Sequence, residues 1–409
     1  MGHPAKLYNG MSYQPGGTIV GFDVFLNRAQ EHLCDSDVDG WLLYDYRGMN
    51  PIFRDAIGEI ENITRPCWLW IPVTGEPRLL VSYVDQGRFA HLGISSTLFV
   101  SRCDMISKLD VVLAGARCVA MEYSVNATLP RVSKVDGGTL ELVRGLGVEV
   151  VSSADTIQFA TQRWTDQHFD SHLIAAHKLS EIVKEAFDYI GDQISSGPTE
   201  FEVAEFIRGR FREGGLEVTD GPVVASNRHA SDPHFEPTLK NSVPIVDGDW
   251  VLIDLWSRVA GMDSMFADIT WTGYVGNDIP SENQTVFDAV IGGRDAALAA
   301  IQSAFMDRRV IRGWEVDDVA RNFIRDAGFG DYFNHRLGHS LGREVHSNAV
   351  NLDGWETLDT RPVIPGIAVT IEPGIYLPNF GVRSEIDVFM TLDGPLVTTE
   401  VQREIVKIL

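Results

Sequence analysis

The hydrophobic and polar positions of the chain change their spacing near residue 165. Before it, short apolar runs such as "WLLYDY", "CWLWIPV", "RLLVSYV" and "CVAMEY" alternate with polar stretches that suit helices. This alternation predicts an α/β domain. From Asp166, "DQHFDSHLIAAHKLSEIVKEAFDYIGDQI" repeats apolar residues at helical spacing until Gly197 and Pro198. We therefore predict two domains, residues 1–165 and 166–409, the second of which begins with a long helix.

The second domain contains an internal repeat. Two helical stretches, "PTEFEVAEFIRGRFREGG" and "RGWEVDDVARNFIRDAGFG", align at an offset of 113 positions. The stretches "VPIVDGDWVLIDL" and "RPVIPGIAVTIEP" align at an offset of 118, and each predicts a buried strand that ends in a carboxylate, Asp254 or Glu372. The next strands, "FADITW" and "RSEIDV", carry Asp268 and Glu385. The domain is therefore predicted to consist of two related halves, each with a helix and a hairpin.

A third aspartate in the first hairpin, Asp263, has no counterpart in the other half, which predicts a position in the hairpin turn. We expect that Asp263→Asn changes neither metal content nor activity. The other four carboxylates would meet if the two hairpins face each other, and buried carboxylates stay ionised together only beside cations. The alternative, four unrelated acids on edge strands, is disfavoured by the apolar neighbours of each acid.

A nitrogen ligand is available in "NHRLGHSLGREVH", which places His335, His339 and His346 among glycines. Gly338 and Gly342 make a continuous helix here improbable, which argues against a helical zinc pair. A site of four carboxylates and one imidazole suits Mn²⁺, Fe²⁺ or Co²⁺ at least as well as Zn²⁺. Because two of the carboxylates can bridge, two ions about 3.5–4 Å apart are expected, and hydrolysis is the chemistry of such a pair.

Composition and charge exclude several classes of partner. The formal net charge of −23 argues against nucleic acid or an anionic membrane surface, because the long-range field repels both. The absence of a leader-like segment and of a long apolar run predicts a cytoplasmic protein. The four cysteines have no paired spacing, and we expect them to be buried apolar residues in a reducing compartment.

The sequence resembles the creatinase/aminopeptidase P/prolidase family. The resemblance is carried by four motifs in the order of the family, "IDLW...ADITWTG", "HRLGHSLGREVH", "TIEPGIYLP" and "GVRSEID", spread over residues 170–409. It implies an α/β N-terminal creatinase-like domain and an α+β C-terminal domain of the pita-bread type with an internal pseudo-twofold. The N-terminal part resembles the family only loosely.

The resemblance also implies a ligand set of five residues and two divalent ions, with Mn²⁺ first among the candidates and Co²⁺, Fe²⁺ or Zn²⁺ as the others. Asp268 and Glu385 would bridge the ions, Asp254 would bind one of them, and His339 and Glu372 would bind the other. Glu372 would in addition carry a proton from the attacking water to the leaving nitrogen.

Further roles follow from the same motifs. His234 in "SDPHFEP" falls where the family has a histidine that contacts substrate, and His346 falls near the tetrahedral oxyanion. His335 would line the leaving-group side of the pocket. Arg383, two residues before Glu385, would either anchor a carboxylate of the substrate or form an ion pair within the metal shell.

One departure from the family concerns the first hairpin, which is about three residues longer than is usual. Trp256 and Arg258 would therefore project near the mouth of the pocket, where they are predicted to contact substrate. The expected activity is hydrolysis of Xaa-Pro bonds in the manner of aminopeptidase P or prolidase, by a homodimer acting on a small peptide or amide. Two alternatives are a hydrolase or lyase of a small non-peptide compound and a catalytically inactive binding module.

Overall fold

The N-terminal part of the chain is built on one mixed sheet. The computed structural model describes residues 21–408 except 59, 61 and 262. In chain order the elements are α1 (Phe22–Cys34), β1 (Gly40–Tyr46), α2 (Pro51–Ile57), β2 (Pro66–Pro72), β3 (Arg78–Ser82), β4 (Ser96–Phe99), α3 (Arg102–Val112), β5 (Cys118–Met121), α4 (Gly137–Gly145), β6 (Glu149–Ser152) and α5 (Ala154–Thr161). The strand order is β4-β3-β2-β1-β5-β6. Only β2 runs antiparallel to its neighbours among these strands, and the α/β prediction is confirmed.

The C-terminal part begins with the predicted long helix. Its elements are α6 (Asp166–Gln193), α7 (Glu200–Glu213), β7 (Leu216–Glu217), β8 (Val223–Ser226), β9 (Trp250–Val259), β10 (Ala267–Val275), α8 (Ser281–Met306), α9 (Gly313–Asp326), β11 (Ser340–Leu341), β12 (Ala368–Ile371), β13 (Gly374–Tyr376), β14 (Gly381–Arg383), β15 (Ile386–Thr391), β16 (Gly394–Val397) and β17 (Val406–Ile408). The boundary at residue 165 stays a prediction, and residues 1–20 of the predicted first domain lie outside the described residues.

The internal repeat is visible in the structure. Helices α7 and α9 both have 14 residues, and their first residues lie 113 positions apart. Strands β9 and β10 pair antiparallel in the first half, as β12 and β15 do in the second. Each half adds a long helix, α6 or α8, of 28 or 26 residues. The pseudo-twofold that the aligned stretches predict is therefore confirmed.

The strands of each hairpin direct alternate side chains to opposite faces. In β9, Val251, Ile253 and Leu255 pack with residues of α6 and α7 in one hydrophobic cluster. In β15, Ile386 and Val388 pack in a second cluster with residues of α8 and α9. Polar residues at the intervening positions consequently face away from these helices, and the two hairpins present them to a shared interior.

Two further observations concern the cysteines and the helices. Cys67 is buried as expected, whereas Cys34 and Cys103 are exposed and Cys118 is half-buried, so the expectation of four buried cysteines is wrong. Both exposed thiols lie on helices at the protein surface. Within the part of the chain that the structure describes, no helix combines the length and the apolar character needed to cross a bilayer.

Candidate metal centre

The first two candidate ligands lie on adjacent strands of one hairpin. Asp254 on β9 is paired across the ladder with Thr270 on β10, and Asp268 is paired with Trp256. Since side chains alternate along a strand, Asp254, Asp268 and Thr270 all point to the face opposite α6. Asp268 is only 5% exposed, so water has little access to solvate its charge.

The second hairpin supplies the other two carboxylates. Ile371 pairs with Ile386, and Glu372 and Glu385 are the residues directly beyond this pair. The two hairpins are joined at this point, because the Glu385 N–H donates to the Thr270 carbonyl at 3.1 Å and the Thr270 hydroxyl donates to Glu385 Oε2 at 2.7 Å. All four carboxylates that the repeat predicts therefore lie around one buried space.

The nitrogen ligand comes from the segment before β11. His339 Nε2 lies 3.7 Å from Asp268 Oδ2 and 3.4 Å from Glu372 Oε1. Gly338 packs so closely on the Thr370 carbonyl that a Cβ at this position would overlap it, so only glycine allows this approach. One ligand atom each from Asp268, His339 and Glu385 lie within 4.8 Å of one another, as expected for residues that surround one ion.

Several oxygens of this cluster have no hydrogen-bond partner among the residues that the structure describes. They are Asp254 Oδ1, Asp268 Oδ1 and Glu385 Oε1, all buried. Burial first, and then the neighbouring Glu385 and Asp254, raises the pKa of Asp268 well above its ordinary value. Carboxylates in this situation need either protons or cations. Burial likewise lowers the pKa of His339 well below its usual range, and the neutral imidazole is the form that binds metal. The donor set therefore fits divalent cations.

Of the two roles predicted for Arg383, its contacts are those of an ion pair with the carboxylate cluster. Its Nη2 lies 2.5 Å from Asp254 Oδ2, its Nε donates to Thr270 Oγ1 at 3.0 Å and its Nη1 donates to the Tyr376 hydroxyl at 2.9 Å. The residue is 4% exposed. The guanidinium therefore holds one oxygen of Asp254 and leaves the other open, and this geometry gives no support to contact with a substrate carboxylate.

The remaining histidines lie around the carboxylate cluster. The ring of His346 meets that of His339 edge-on at 4.3 Å between centroids. His335 Nε2 lies 2.9 Å from the Tyr376 hydroxyl, and burial lowers the pKa of His335 to about 3. His234 is exposed and lies in the loop after β8.

A cavity of about 650 Å³ opens beside His346. Arg258 and Phe266 line it together with the segment Arg343–His346, and Arg131 of the N-terminal part closes one side. The predicted position of Arg258 near a pocket is therefore supported. Its Nη2 lies 2.7 Å from Glu217, on the same cavity wall.

Trp256, which the sequence predicts to project near the mouth of the pocket, contacts the segment before β8. Its Nε1 donates to Asp220 Oδ1 at 3.2 Å. Gly221 lies directly on the indole, since a Cβ there would come within 2.6 Å of Trp256 Cη2. Trp256 is not among the residues that line the cavity beside His346, so its contact with substrate stays a prediction without support from this geometry.

Sequence reasoning missed three side chains at this site. Thr270 and Tyr376 hold Arg383, as described above. Asp387 is fully buried, and its Oδ2 accepts the Asp268 N–H at 2.9 Å, while its Oδ1 has no partner. The signal for Asp387 was present in the sequence, because it follows Glu385 by two positions in "RSEIDV", where alternation predicts the same side for both.

Comparison with known proteins assigns the family. The profile of metallopeptidase family M24 matches residues 175–392, and the chain belongs to this family, which makes it a metallopeptidase by class. It is 30% identical over 350 residues to an Xaa-Pro dipeptidase of Pyrococcus horikoshii, a match that covers 82% of this chain and 88% of the relative.

Solved structures agree on the fold. Dipeptidase PepE of Mycobacterium ulcerans is 23% identical, with a TM-score of 0.74 over 96% of this chain and 99% of that one. An X-Pro aminopeptidase of Thermotoga maritima is 21% identical, with a TM-score of 0.60 over 92% and 99%. At these identities the likeness shows the pita-bread fold with its N-terminal domain and nothing about substrate.

Proposed function

We propose that this protein hydrolyses Xaa-Pro peptide bonds with the help of two divalent metal ions. The observation that carries the proposal is the set of buried, unpartnered carboxylate oxygens of Asp254, Asp268 and Glu385 beside His339. The Xaa-Pro dipeptidase of Pyrococcus horikoshii supports the proline specificity, since its sequence similarity extends over most of both chains.

The residues proposed to hold the two ions are Asp254, Asp268, His339, Glu372 and Glu385. These residues would hold divalent ions, which would supply Lewis acidity toward the scissile carbonyl and lower the pKa of the attacking water. The Arg383–Asp254 ion pair keeps one oxygen of Asp254 in place, which restricts the direction in which the other can bind.

Glu372 is proposed as the proton carrier. Its Oε1 accepts the Thr370 hydroxyl at 3.1 Å, and this bond holds the carboxylate toward the interior of the site. Burial raises the pKa of Glu372 to about 7, although Arg383 and Arg336 oppose the shift. A carboxylate in this position can take the proton of the attacking water and deliver it to the leaving nitrogen.

Two histidines are proposed to complete the reaction site. Burial lowers the pKa of His346 to about 4, so a neutral ring would donate an N–H to the oxygen of the tetrahedral intermediate. A donor of this kind contributes about 2.7–4 kcal/mol to the transition state. His335, held by the Tyr376 hydroxyl, is assigned to the leaving-group side, and the exposed His234 to contact with the substrate.

A substrate panel tests this function. Xaa-Pro dipeptides, Xaa-Pro-Ala tripeptides and the matching Xaa-Ala peptides are incubated with protein loaded with Mn²⁺, Co²⁺, Fe²⁺ or Zn²⁺, and Asp268→Asn protein is the control for metal dependence. We expect turnover of the proline peptides only. Turnover of Xaa-Ala peptides at the same rate would contradict the proline specificity, and no turnover of any peptide would favour a small non-peptide substrate.

Three finer assignments stay predictions from the sequence. They are manganese as the native ion, a homodimer, and a cytoplasmic location. The oxygen-rich ligand set accepts each of the candidate metals. Metal analysis of protein purified without added metal and the mass of the native particle would test the first two.

A further inference from the structure

Asp263 lies in the turn between β9 and β10, as its lack of a counterpart predicted, but it is 6% exposed. Its Oδ1 accepts the Arg343 Nε–H at 2.7 Å and lies 3.1 Å from His168 Nε2. A buried charge needs partners of this kind. The turn of the first hairpin is therefore tied to the first turn of α6 and to the segment that follows β11.

His168 connects the cap of α6 to Asp263 and Arg343. Its Nδ1 accepts the Thr165 N–H at 3.2 Å in the cap of α6. Its Nε2 lies 3.1 Å from Asp263 Oδ1 and 3.5 Å from Arg343 Nη2. Although burial opposes the shift, His168 and Arg343 lower the pKa of Asp263, and Arg343 is its ion-pair partner. Loss of the carboxylate would leave the Arg343 guanidinium without its ion pair.

Arg343 belongs to the loop Gly342–His346, whose backbone is held by the same hairpin. The Phe266 N–H donates to the Gly342 carbonyl at 2.9 Å, and Arg258 Nη1 donates to the Arg343 carbonyl at 3.0 Å. Asp263 supplies the third attachment, through the side chain of Arg343. The first hairpin therefore fixes this loop at two successive residues, Gly342 and Arg343.

The loop ends at His346, the proposed oxyanion donor, whose ring contacts His339. Its residues from Arg343 to His346 also line the cavity of about 650 Å³. Arg343 is three residues before His346 in a short loop, so a shift of Arg343 would also shift His346. A misplacement of about 1 Å in a catalytic group can cost roughly 100-fold in rate.

We propose that Asp263 is a positioning residue that holds Arg343 and thereby places His346 against the metal centre. The proposal rests on the proposed function of His346. It replaces the expectation from the sequence that Asp263→Asn leaves activity unchanged, and it retains the expectation for metal content, because Asp263 contacts none of the five proposed ligands.

The test compares Asp263→Asn with Asp393→Asn, a matched change of an exposed aspartate in the β15–β16 turn. We expect kcat of Asp263→Asn on the preferred Xaa-Pro peptide to fall about 10- to 100-fold, with a smaller change in KM and unchanged metal content. Asp393→Asn should match the wild type. Should Asp263→Asn fail to fold, Asp263→Glu, which keeps the charge but moves it by one methylene, carries the same expectation with a smaller loss.

A double-mutant cycle separates positioning from a general structural role. If Asp263 acts through His346, Asp263→Asn should slow the His346→Ala protein by less than 2-fold, because the effects of coupled residues are not additive. A full additional 10- to 100-fold loss in that background would overturn the proposal.

Hydrogen exchange provides a readout that does not need turnover. Amides of residues 342–348 should exchange faster in Asp263→Asn than in Asp393→Asn, while amides of β9 and β12 should not change. If no peptide is hydrolysed by the wild type but the loop still loosens, the proposed function is wrong and the attachment of the loop stands. Unchanged exchange in this loop contradicts the positioning role.

Discussion

Buried acids occur in this protein in two kinds of surroundings. At the metal centre, Asp254, Asp268 and Glu385 each keep an oxygen without a partner. Asp387 beside them also keeps an open oxygen. Elsewhere, Glu200 on α7 and Glu122 after β5 are fully buried but surrounded by donors. The comparison teaches that burial alone does not mark a functional acid, because the acids of this cluster have fewer donors than Glu200 and Glu122.

Glu200 is a buried acid whose two carboxylate oxygens both accept hydrogen bonds. Its Oε1 accepts the Ser226 N–H at 2.7 Å and the Ser226 hydroxyl at 2.8 Å, and its Oε2 accepts the Val243 N–H at 3.1 Å. His229 Nδ1 lies 2.9 Å from both oxygens. These donors come from three separate segments, so the carboxylate joins α7 to β8 and to the loop before β9. No oxygen of Glu200 is left open for a cation.

The largest effect should follow from removal of a proposed metal ligand. Asp268→Asn or Glu385→Gln removes one charge from the carboxylate cluster, and we expect each variant to lose most of its bound metal and at least 1000-fold in kcat. Metal per chain is measured by elemental analysis after dialysis against a defined free-metal buffer. Less than about one transition metal per chain in the wild type would contradict the five-ligand assignment.

Glu372→Gln is expected to have the next largest effect on activity. The amide keeps the size of the side chain but cannot carry a proton, so kcat should fall about 100- to 10,000-fold. Because Glu372 is also a proposed ligand, metal content is measured in parallel and kcat is compared at saturating metal. A rate near that of the wild type would remove Glu372 from the proton transfer.

The four carboxylates of the site could be predicted from sequence, because their positions depend on local rules. Alternation along a strand and the repeat between the halves place each acid on the side of its hairpin that faces the partner hairpin. The expectation that the first strand ends at Asp254 is wrong, because β9 continues to Val259. His339 could be selected from the motif. These features are set within single hairpins or by symmetry between them.

The partners of Asp263 and the sheet order of the N-terminal part could not be predicted in this way. Asp263 meets Arg343 across 80 positions of the chain, and no periodicity connects the two. The Arg383–Tyr376–His335 contacts depend on the turn that β13 and β14 make between the proposed ligands Glu372 and Glu385. Contacts of this kind are decided by tertiary packing, which a single sequence does not encode in any local pattern.

Glu200→Gln tests the structural side of the comparison. The amide N–H₂ of glutamine would face at least one of the N–H or O–H groups that now donate to a carboxylate oxygen, and two donors cannot bond to each other. We therefore expect the free energy of unfolding to fall by about 2–4 kcal/mol. Metal content per folded chain should not change. The matched control is Glu282→Gln on the exposed first turn of α8, and urea unfolding provides the measurement. Loss of metal without loss of stability would reverse the assignment of Glu200.

The smallest effect is expected for Glu122, as a change of the free energy of unfolding with pH. Burial raises the pKa of Glu122 to about 7, although Trp41 Nε1, the Tyr44 N–H and Asn50 Nδ2 all donate to it and oppose the shift. An unfolded glutamate has a pKa of about 4.3, so the folded state binds the extra proton between these values. The contribution of Glu122 to stability is therefore complete below about pH 4 and is lost as the pH rises to about 7.

Measured against Glu122→Gln, which has no titrating proton, the wild type should lose about 1–3 kcal/mol of unfolding free energy between pH 4.5 and pH 7.5. The difference between the two proteins isolates this residue from the other titrating groups. Glu149→Gln, an exposed change on neighbouring β6, should run parallel to the wild type. If the difference between wild type and Glu122→Gln does not change with pH, the three donors keep Glu122 ionised throughout. A full set of donors would then cancel the cost of burial, and the open oxygens would be the whole distinction between the metal centre and the structural acids.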